Sequence, residues 1–513
     1  MAHDPTTFAA VQPLDAHNRR LLETVHPPAW KDPVPPRDGY QLVVIGAGTA
    51  GLVTAAIAAG VGARVALVER ELMGGDCLNV GCVPSKAMIA AARASHAAWT
   101  QDAPVDGDAS LSDEGEAFRA AMERMRRIRA DLSPVDGAKR FQDDLGVDVY
   151  LGDARFVADD AVEVGGARLK FLRAVIATGG RAAVPEVPGL ADSGYLTNQT
   201  FYSLTERPGH LAILGGGPIG CEMAQAVARL GGRVTIIETG DRLLKNDDPD
   251  AARIVAEALK RDGVEVLTGA RVDSVSGRAG SASLRVTHGG AGRTIDATHV
   301  LVATGRAPNV EGLGLEQAAV EADEHGITVD DRMRTSNPRI YAIGDVASKY
   351  KFTHMADASA RMVVRNALFR GRGRASSLVI PWATYTSPEV AHVGITAAEV
   401  EEAGDEVQTI TVEMADVDRA RLDGRTEGFV RVHLKAGSDT ILGATIVAER
   451  AGDLISQITQ AMTAEIGLGK LGDVIYPYPT TAEAIRKAAD QWRRAKLTPT
   501  AKTALGLALR LLR

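Results

Sequence analysis

Two apolar runs near the start of the chain set its grammar. QLVVI (41–45) and the run from Arg64 to Val68 are unbroken, rich in β-branched residues, and the second ends on Glu69. Apolarity without alternation marks strands covered on both faces. Between them a glycine turn leads into an Ala-rich stretch that reads as a helix. The same order returns at LAIL (211–214), a helix through Leu230, and RVTIIE ending on Glu238. From Ala87 to about Leu132 the pattern predicts long helices, with a polar, acidic break near Gln101 to Gly115. Short strands lead to RAVIATGG (173–180), Pro249 to Gly263 reads as a helix, and further strands reach HVLVATGRAPN (299–309). Beyond about Ser376 the character changes to alternating strands (Phe429 to Leu434, Ile441 to Val447) followed by helices. The pattern predicts an α/β protein with two Rossmann-like dinucleotide-binding domains and a C-terminal α+β domain.

The two turns carry the chemistry. Gly46-Ala47-Gly48-Thr49-Ala50-Gly51 follows the first strand, and Glu69 lies 23 residues after Gly46. Gly46 allows the tight turn, Gly48 lets backbone N–H groups reach a pyrophosphate, and Gly51 lets helix and strand pack closely. Glu69 is placed to accept ribose hydroxyls. Gly215-Gly216-Gly217-Pro218-Ile219-Gly220 repeats the turn, and Glu238 again lies 23 residues after its first glycine. Two such units imply two dinucleotides. A carboxylate at Glu238 welcomes a free 2′-hydroxyl and repels a 2′-phosphate, so NADH is favoured over NADPH, with Arg242 nearby as the counter-argument. Gly344-Asp345, at the end of NPRIYAIGDVA (337–347), offers an acid for a sugar or ribityl hydroxyl.

Composition narrows the picture. A chain of 513 residues suggests three or more domains, and its net charge of −7 argues against a nucleic-acid partner. Gly39 to Ala63 carries no charge and has the length of a bilayer span, but its four glycines from Gly46 to Gly60 favour a buried strand-turn-helix. Residues 1–38 are polar and proline-rich without a signal-peptide core, and read as an arm that docks on the body or stays mobile. Arg124, Arg126, Arg127 and Arg129 read as a solvated helix face. Three cysteines make no disulfide framework and favour a reducing, cytoplasmic setting. Cys77 and Cys82 are four residues apart, with Pro84 suited to open a helix behind them. A thiol at a helix N-terminus is biased towards thiolate. Zinc would need more ligands than this pair supplies, so no metal site is expected. The pair reads as a redox couple, and Cys221 as a core thiol.

The stretch GGDCLNVGCVPSK (74–86), with the two fingerprints and the late GD, resembles the flavin-dependent pyridine nucleotide–disulfide oxidoreductases. That family includes dihydrolipoamide dehydrogenase, glutathione reductase and mercuric reductase, and the chain is most similar to mercuric-reductase-like proteins. The resemblance covers about residues 39–490. It implies an N-terminal extension (1–38), an FAD-binding domain (39–185 and 312–375), an NAD(P)H-binding domain (186–311), a dimerisation domain (376–490) and a helical tail (491–513). FAD is then expected against Gly46, Gly48, Gly51, Glu69, Gly75, Lys86, Thr178, Gly179, Gly344, Asp345, Met355 and Ala356. The nicotinamide cofactor is expected against Gly215, Gly217, Gly220, Glu238 and Gly305. By motif, Cys82 is the charge-transfer thiol against the flavin and Cys77 the interchange thiol. Lys86 approaches the flavin, and Glu222 is the acid paired with it.

Two departures shape the functional expectation. Disulfide-reducing relatives carry His-Pro-Thr-x-x-Glu near the C-terminus, where the histidine serves the partner subunit's thiol. Here the stretch is Tyr478-Pro479-Thr480-Thr481-Ala482-Glu483, and tyrosine, with an ordinary pKa near 10, is a poor base at neutrality. Mercuric reductases share the tyrosine but deliver Hg(II) through a C-terminal cysteine pair, and this chain has no cysteine after Cys221. The leading expectation is a homodimeric NAD(P)H:disulfide oxidoreductase acting on a small disulfide or other thiol-reactive acceptor. Mercuric reduction, quinone reduction and a place in a dehydrogenase complex are the alternatives. The tail from Lys496 to Arg513 is expected as a helix packed on the body or dimer, with membrane-surface contact as its alternative.

Overall fold

In the computed structural model, residues 4–100 and 115–512 are described. The acidic break expected near 101–115 lies, but for its last residue, outside them. The chain forms two compact units. One contains residues 1–216, 223–239 and 270–377, and the other residues 217–222, 240–269 and 378–513.

The first unit is built on the apolar runs. Strands β1 (Tyr40–Ile45), β2 (Val65–Glu69), β3 (Asp148–Leu151) and β4 (Ala167–Ile176) lie in the order β3-β2-β1-β4, all parallel. Ile340–Ala342 extends the sheet beyond β4, pairing parallel to it. Every residue of β2 is buried, as expected of a strand covered on both faces. Helix α1 (Ala16–Val25) belongs to the arm, and α2 (Thr49–Gly60) follows the first glycine turn. Helices α3 (Gly75–Asn79), α4 (Cys82–Thr100) and α5 (Glu116–Leu132) come next. The second fingerprint supplies another parallel set in which His210–Leu214 lies between Arg233–Ile237 and His299–Val302.

The ATG echo has a packing explanation. Gly46 turns at φ +98°, and a Cβ there would meet the Ala177 carbonyl oxygen and Thr178 Cα. Gly215 turns at φ +106°, and a Cβ there would meet the Ala303 carbonyl oxygen and Thr304 Cα. Each fingerprint therefore presses its first glycine onto its own ATG segment, at a backbone conformation glycine alone adopts without strain.

The N-terminal arm docks. Asp15 caps α1 by accepting the Asn18 N–H at 2.9 Å, and Val11, Leu21, Leu22 and Val25 enter the same core as α2 and Met73. Farther along, Trp30 Nε1 donates to the Val149 carbonyl at 3.1 Å, and Leu151 N–H donates to Asp32 at 3.0 Å. These contacts satisfy groups of β3, whose outer edge would otherwise stand open. The arginines of α5 correct the expectation of a wholly solvated face: Arg126 and Arg129 are buried. Arg126 pairs with Asp15 at 2.6 Å, and Arg129 donates to Asn18 Oδ1 at 2.7 Å and to the Asn79 carbonyl.

The second unit centres on a five-stranded antiparallel sheet. Its order is Pro381–Thr384, Glu389–Gly394, Ile441–Ala448, Phe429–Lys435, Val407–Glu413. Helices Ala451–Thr463 and Glu483–Ala495 bury Ile455, Ile458, Ile485 and Trp492 against it. The C-terminal helix, Pro499–Leu511, has no buried residue. It is helical as expected, and none of its residues is buried against the other described residues. Among the described residues, no helix is long and apolar enough to cross a membrane.

Candidate active site

The thiols sit on consecutive short elements for a local reason. Gly74, in the left-handed region at φ 90°, turns the chain into α3, which carries Cys77. The chain then breaks at Val80 and restarts as α4, with Cys82 as its first residue and Pro84 in its first turn. Cys77 is half-buried, Cys82 is exposed, and Cys221 is buried in the core as expected. The Cys82 sulfur lies 3.2 Å from the Thr353 hydroxyl. The hydrogen bond with Cys82 and burial push the Cys77 thiol well up, while the Thr353 and Thr49 hydroxyls pull against them. Cys82, for its part, starts a helix whose N-terminal N–H groups favour a thiolate. Lys86, one turn after Cys82, lies on the same face of α4.

Around the thiols the expected residues converge within the first unit. Glu69 is buried, and its carboxylate accepts Ala47 N–H at 2.6 Å and Glu71 N–H at 2.8 Å. Burial pushes its pKa up, opposed by those two N–H groups. Gly75 stands so close to Gly48 that a Cβ on it would lie 2.6 Å from Gly48 Cα. The redox segment and the first glycine turn are thus in backbone contact. A Cβ on Gly344 would meet Ala50 at 3.3 Å and Ala356 at 3.9 Å, which joins the late GD turn to the fingerprint helix and to the buried Met355-Ala356 pair. Thr178 and Asn309 exchange hydrogen bonds of 2.7 and 2.9 Å, tying the first ATG to the APN that follows the second.

Arg306 was missed by the sequence reading. Its guanidinium reaches Asp345 at 2.9 Å, the Gly180 carbonyl at 2.6 Å, and Asp76, the residue before Cys77. Burial pushes the Asp345 carboxyl up, and Arg306 opposes it. The only sequence signal was a cation directly after the ATG echo. Nothing in the spacing connected it with Asp345 or Asp76. Thr49 and Thr353 were missed too, because a hydroxyl near a thiol leaves no periodicity to read.

The second nucleotide turn mirrors the first. Glu238 accepts Gly216 N–H at 2.6 Å, as Glu69 accepts Ala47 N–H. Gly305 follows Thr304, whose hydroxyl donates to the Ala183 carbonyl at 2.7 Å. Helix Pro218–Arg229 carries Gly220, Cys221 and Glu222, and the Cys221 N–H donates to the Gly217 carbonyl at 3.0 Å. In the second unit, Arg242 donates to the Lys245 carbonyl at 2.6 Å, and buried Glu222 accepts Tyr385 N–H at 2.9 Å. Tyr478 is 72 % exposed, and its hydroxyl donates to Asp418 at 3.2 Å, which raises its pKa further. Glu483 opens its helix, buried and paired with Arg486 at 2.9 Å. Among the described residues no cluster of three or more His, Cys, Asp or Glu is arranged for a metal.

Residues 40–360 match the pyridine nucleotide-disulphide oxidoreductase family, and residues 380–489 match its dimerisation domain. The chain belongs to that family. A mercuric reductase from Streptomyces lividans is 36 % identical over 461 residues, covering 88 % of this chain and 96 % of that one. One from Staphylococcus aureus is 35 % identical over 460 residues, covering 88 % and 82 %. A dihydrolipoyl dehydrogenase from Bacillus subtilis is 30 % identical, covering 88 % and 97 %. Among solved structures, the HOCl-induced flavoprotein disulfide reductase RclA from Escherichia coli aligns at TM-score 0.78 and 28 % identity, over 87 % of this chain and 99 % of that one. LpdA from Mycobacterium tuberculosis aligns at TM-score 0.80 and 26 % identity, over 88 % and 99 %.

Membership makes this a flavoprotein disulfide oxidoreductase using FAD and a nicotinamide cofactor, and the dimerisation domain supports a homodimer. The residues fit the flavin nucleotide. Gly75 lies against Gly48 so closely that a side chain on Gly75 is excluded by backbone contact, and Glu69 and Asp345 carry hydroxyl acceptors of the kind a ribose and a ribityl chain require.

Proposed function

We propose that the enzyme takes electrons from NADH and passes them through Cys77 and Cys82 to a small disulfide or another thiol-reactive acceptor. The observation that carries this reading is the pair of sulfurs itself, half-buried Cys77 on one short helix and exposed Cys82 at the start of the next. Bound FAD supplies the two-electron link between nicotinamide and disulfide. Reduction of the Cys77–Cys82 disulfide by two electrons and one proton leaves a thiolate at Cys82 and a thiol at Cys77. The two sulfurs share that proton. When it passes to Cys82, the Cys77 thiolate attacks an external disulfide, forms a mixed disulfide and expels one acceptor thiolate. That departing thiolate takes up the proton from Cys82, and the Cys82 thiolate then attacks the Cys77 sulfur, restores the internal disulfide and expels the second acceptor thiolate. Lys86 and Glu222 are assigned by motif as the pair beside the flavin. Tyr478 of the partner subunit takes the position of the missing histidine as a hydrogen-bond donor rather than a base, with Glu483 behind it.

Glu238 supports NADH over NADPH, since a 2′-phosphate would face its carboxylate. Three cysteines in 513 residues, too few for a disulfide framework, support a reducing, cytoplasmic setting. Mercuric reduction is the second reading, favoured by the relatives above and opposed by the absence of cysteine after Cys221.

The test uses the FAD-loaded enzyme and its Cys77→Ser variant against a panel of low-molecular-weight disulfides, Hg(II) and quinones. Disulfide turnover that the substitution abolishes, with quinone reduction spared, is expected. Disulfide turnover that survives the loss of Cys77 would overturn the mechanism.

A further inference from the structure

We propose that the C-terminal helix, Pro499–Leu511, docks reversibly on the surface of an anionic lipid bilayer. The helix is well specified. The Thr498 hydroxyl accepts the Ala501 N–H at 3.2 Å as its N-cap, and Pro499 opens the first turn. No residue of it is buried. Leu505, Leu507, Leu509, Leu511 and Leu512 are 53, 62, 64, 82 and 84 % exposed, a contiguous apolar face of the kind that marks an interaction surface.

At 3.6 residues per turn, Leu505, Leu509 and Leu512 share one side with Ala501 and Ala508, and Leu507 and Leu511 widen it. Lys502, Thr503, Gly506 and Arg510 form the narrow opposite strip. A broad leucine face with a basic strip is the pattern of a helix that lies in a membrane interface. So short a helix is marginal in water by itself, so an apolar surface that covers its leucines also stabilises it.

Charge selects the occupant. From Gln491 to Arg513 the chain has six Lys and Arg and no Asp or Glu, in a protein of net charge −7. A second copy of this helix would cover the leucines but offers no acidic partner for the basic strip, since this stretch carries no Asp or Glu. An anionic lipid surface instead attracts Lys496, Lys502 and Arg510 while its acyl layer takes the leucines.

The test is flotation of the FAD-loaded full chain with vesicles of phosphatidylcholine alone, or with one third phosphatidylglycerol. The full chain is expected to float with the anionic vesicles, to stay down with the neutral ones, and to be released by high salt. A chain ending at Leu497 and the Leu505→Glu/Leu509→Glu variant should not float, while keeping their turnover in solution. Lys502→Gln should weaken partitioning about five-fold. No flotation of the full chain, or equal flotation of the shortened one, overturns the proposal. So does a change from dimer to monomer on shortening without any lipid binding, which would make the helix a subunit contact.

Discussion

At the residue scale the site turns on an inequality between two sulfurs. The hydrogen bond with Cys82 and burial push the Cys77 thiol up and Cys82 starts a helix, so the reduced enzyme should carry its thiolate at Cys82. In absorbance spectra of the reduced enzyme, Cys77→Ser should therefore keep a long-wavelength thiolate–flavin band that Cys82→Ser loses. Glu238 makes a second residue-level case. Its carboxylate already holds Gly216 N–H at 2.6 Å, which fixes it at the strand end facing the nucleotide position. Glu238→Ala should raise the KM for NADH about ten-fold, the value of a hydrogen bond to a charged group, and narrow the preference over NADPH in steady-state assays. The cysteines and Glu238 were legible in the sequence because short spacings fixed their neighbours. Arg306 was not, since its partners Asp76 and Asp345 are far along the chain in opposite directions and only the fold brings them together.

At the scale of elements, the N-terminal arm and α5 act as one support behind the redox helix. Arg129 is fully buried and spans from Asn18 on the arm to the Asn79 carbonyl at the end of α3. Asn18→Leu would leave that guanidinium short of a partner, a loss of about 1–3 kcal/mol, visible as a lower midpoint in thermal unfolding. A wild-type midpoint would mean that the arm carries no stability. The strand-turn-helix units were readable because apolar runs, glycines and terminal acids lie within one local stretch. The burial of Arg126 and Arg129 was not, because on its own α5 looks like an amphipathic helix with a solvated basic face. The helix that covers it lies about a hundred residues earlier and is capped by Asp15, the partner of Arg126.

At the scale of the whole molecule, its second unit links stability to pH. Burial, with the nearby His392 and Arg431, holds His433 down at about 4 from its ordinary 6.5. Between those values the unfolded chain binds the extra proton, so this contribution is full above about 6.5 and is lost as pH falls towards 4. Asp247 works oppositely. Burial pushes it up to about 6 from 3.8, against its bond from Trp382, so the folded state binds the extra proton and stability falls as pH rises through that window. In urea unfolding these two slopes oppose each other near pH 5. His433→Gln, freed of the His433 slope, should gain stability relative to wild type on acidification. The dimer expected from the dimerisation domain should appear in light scattering at about twice the 54.0 kDa chain mass. The measurement closest to the central claim is an anaerobic titration of the FAD-loaded enzyme, first with NADH and then with NADPH. A long-wavelength band that reaches its maximum near two electrons per flavin, at lower NADH than NADPH, is predicted. Direct bleaching of the flavin with no such band would contradict the account, because the thiols of Cys77 and Cys82 would then stand outside the electron path.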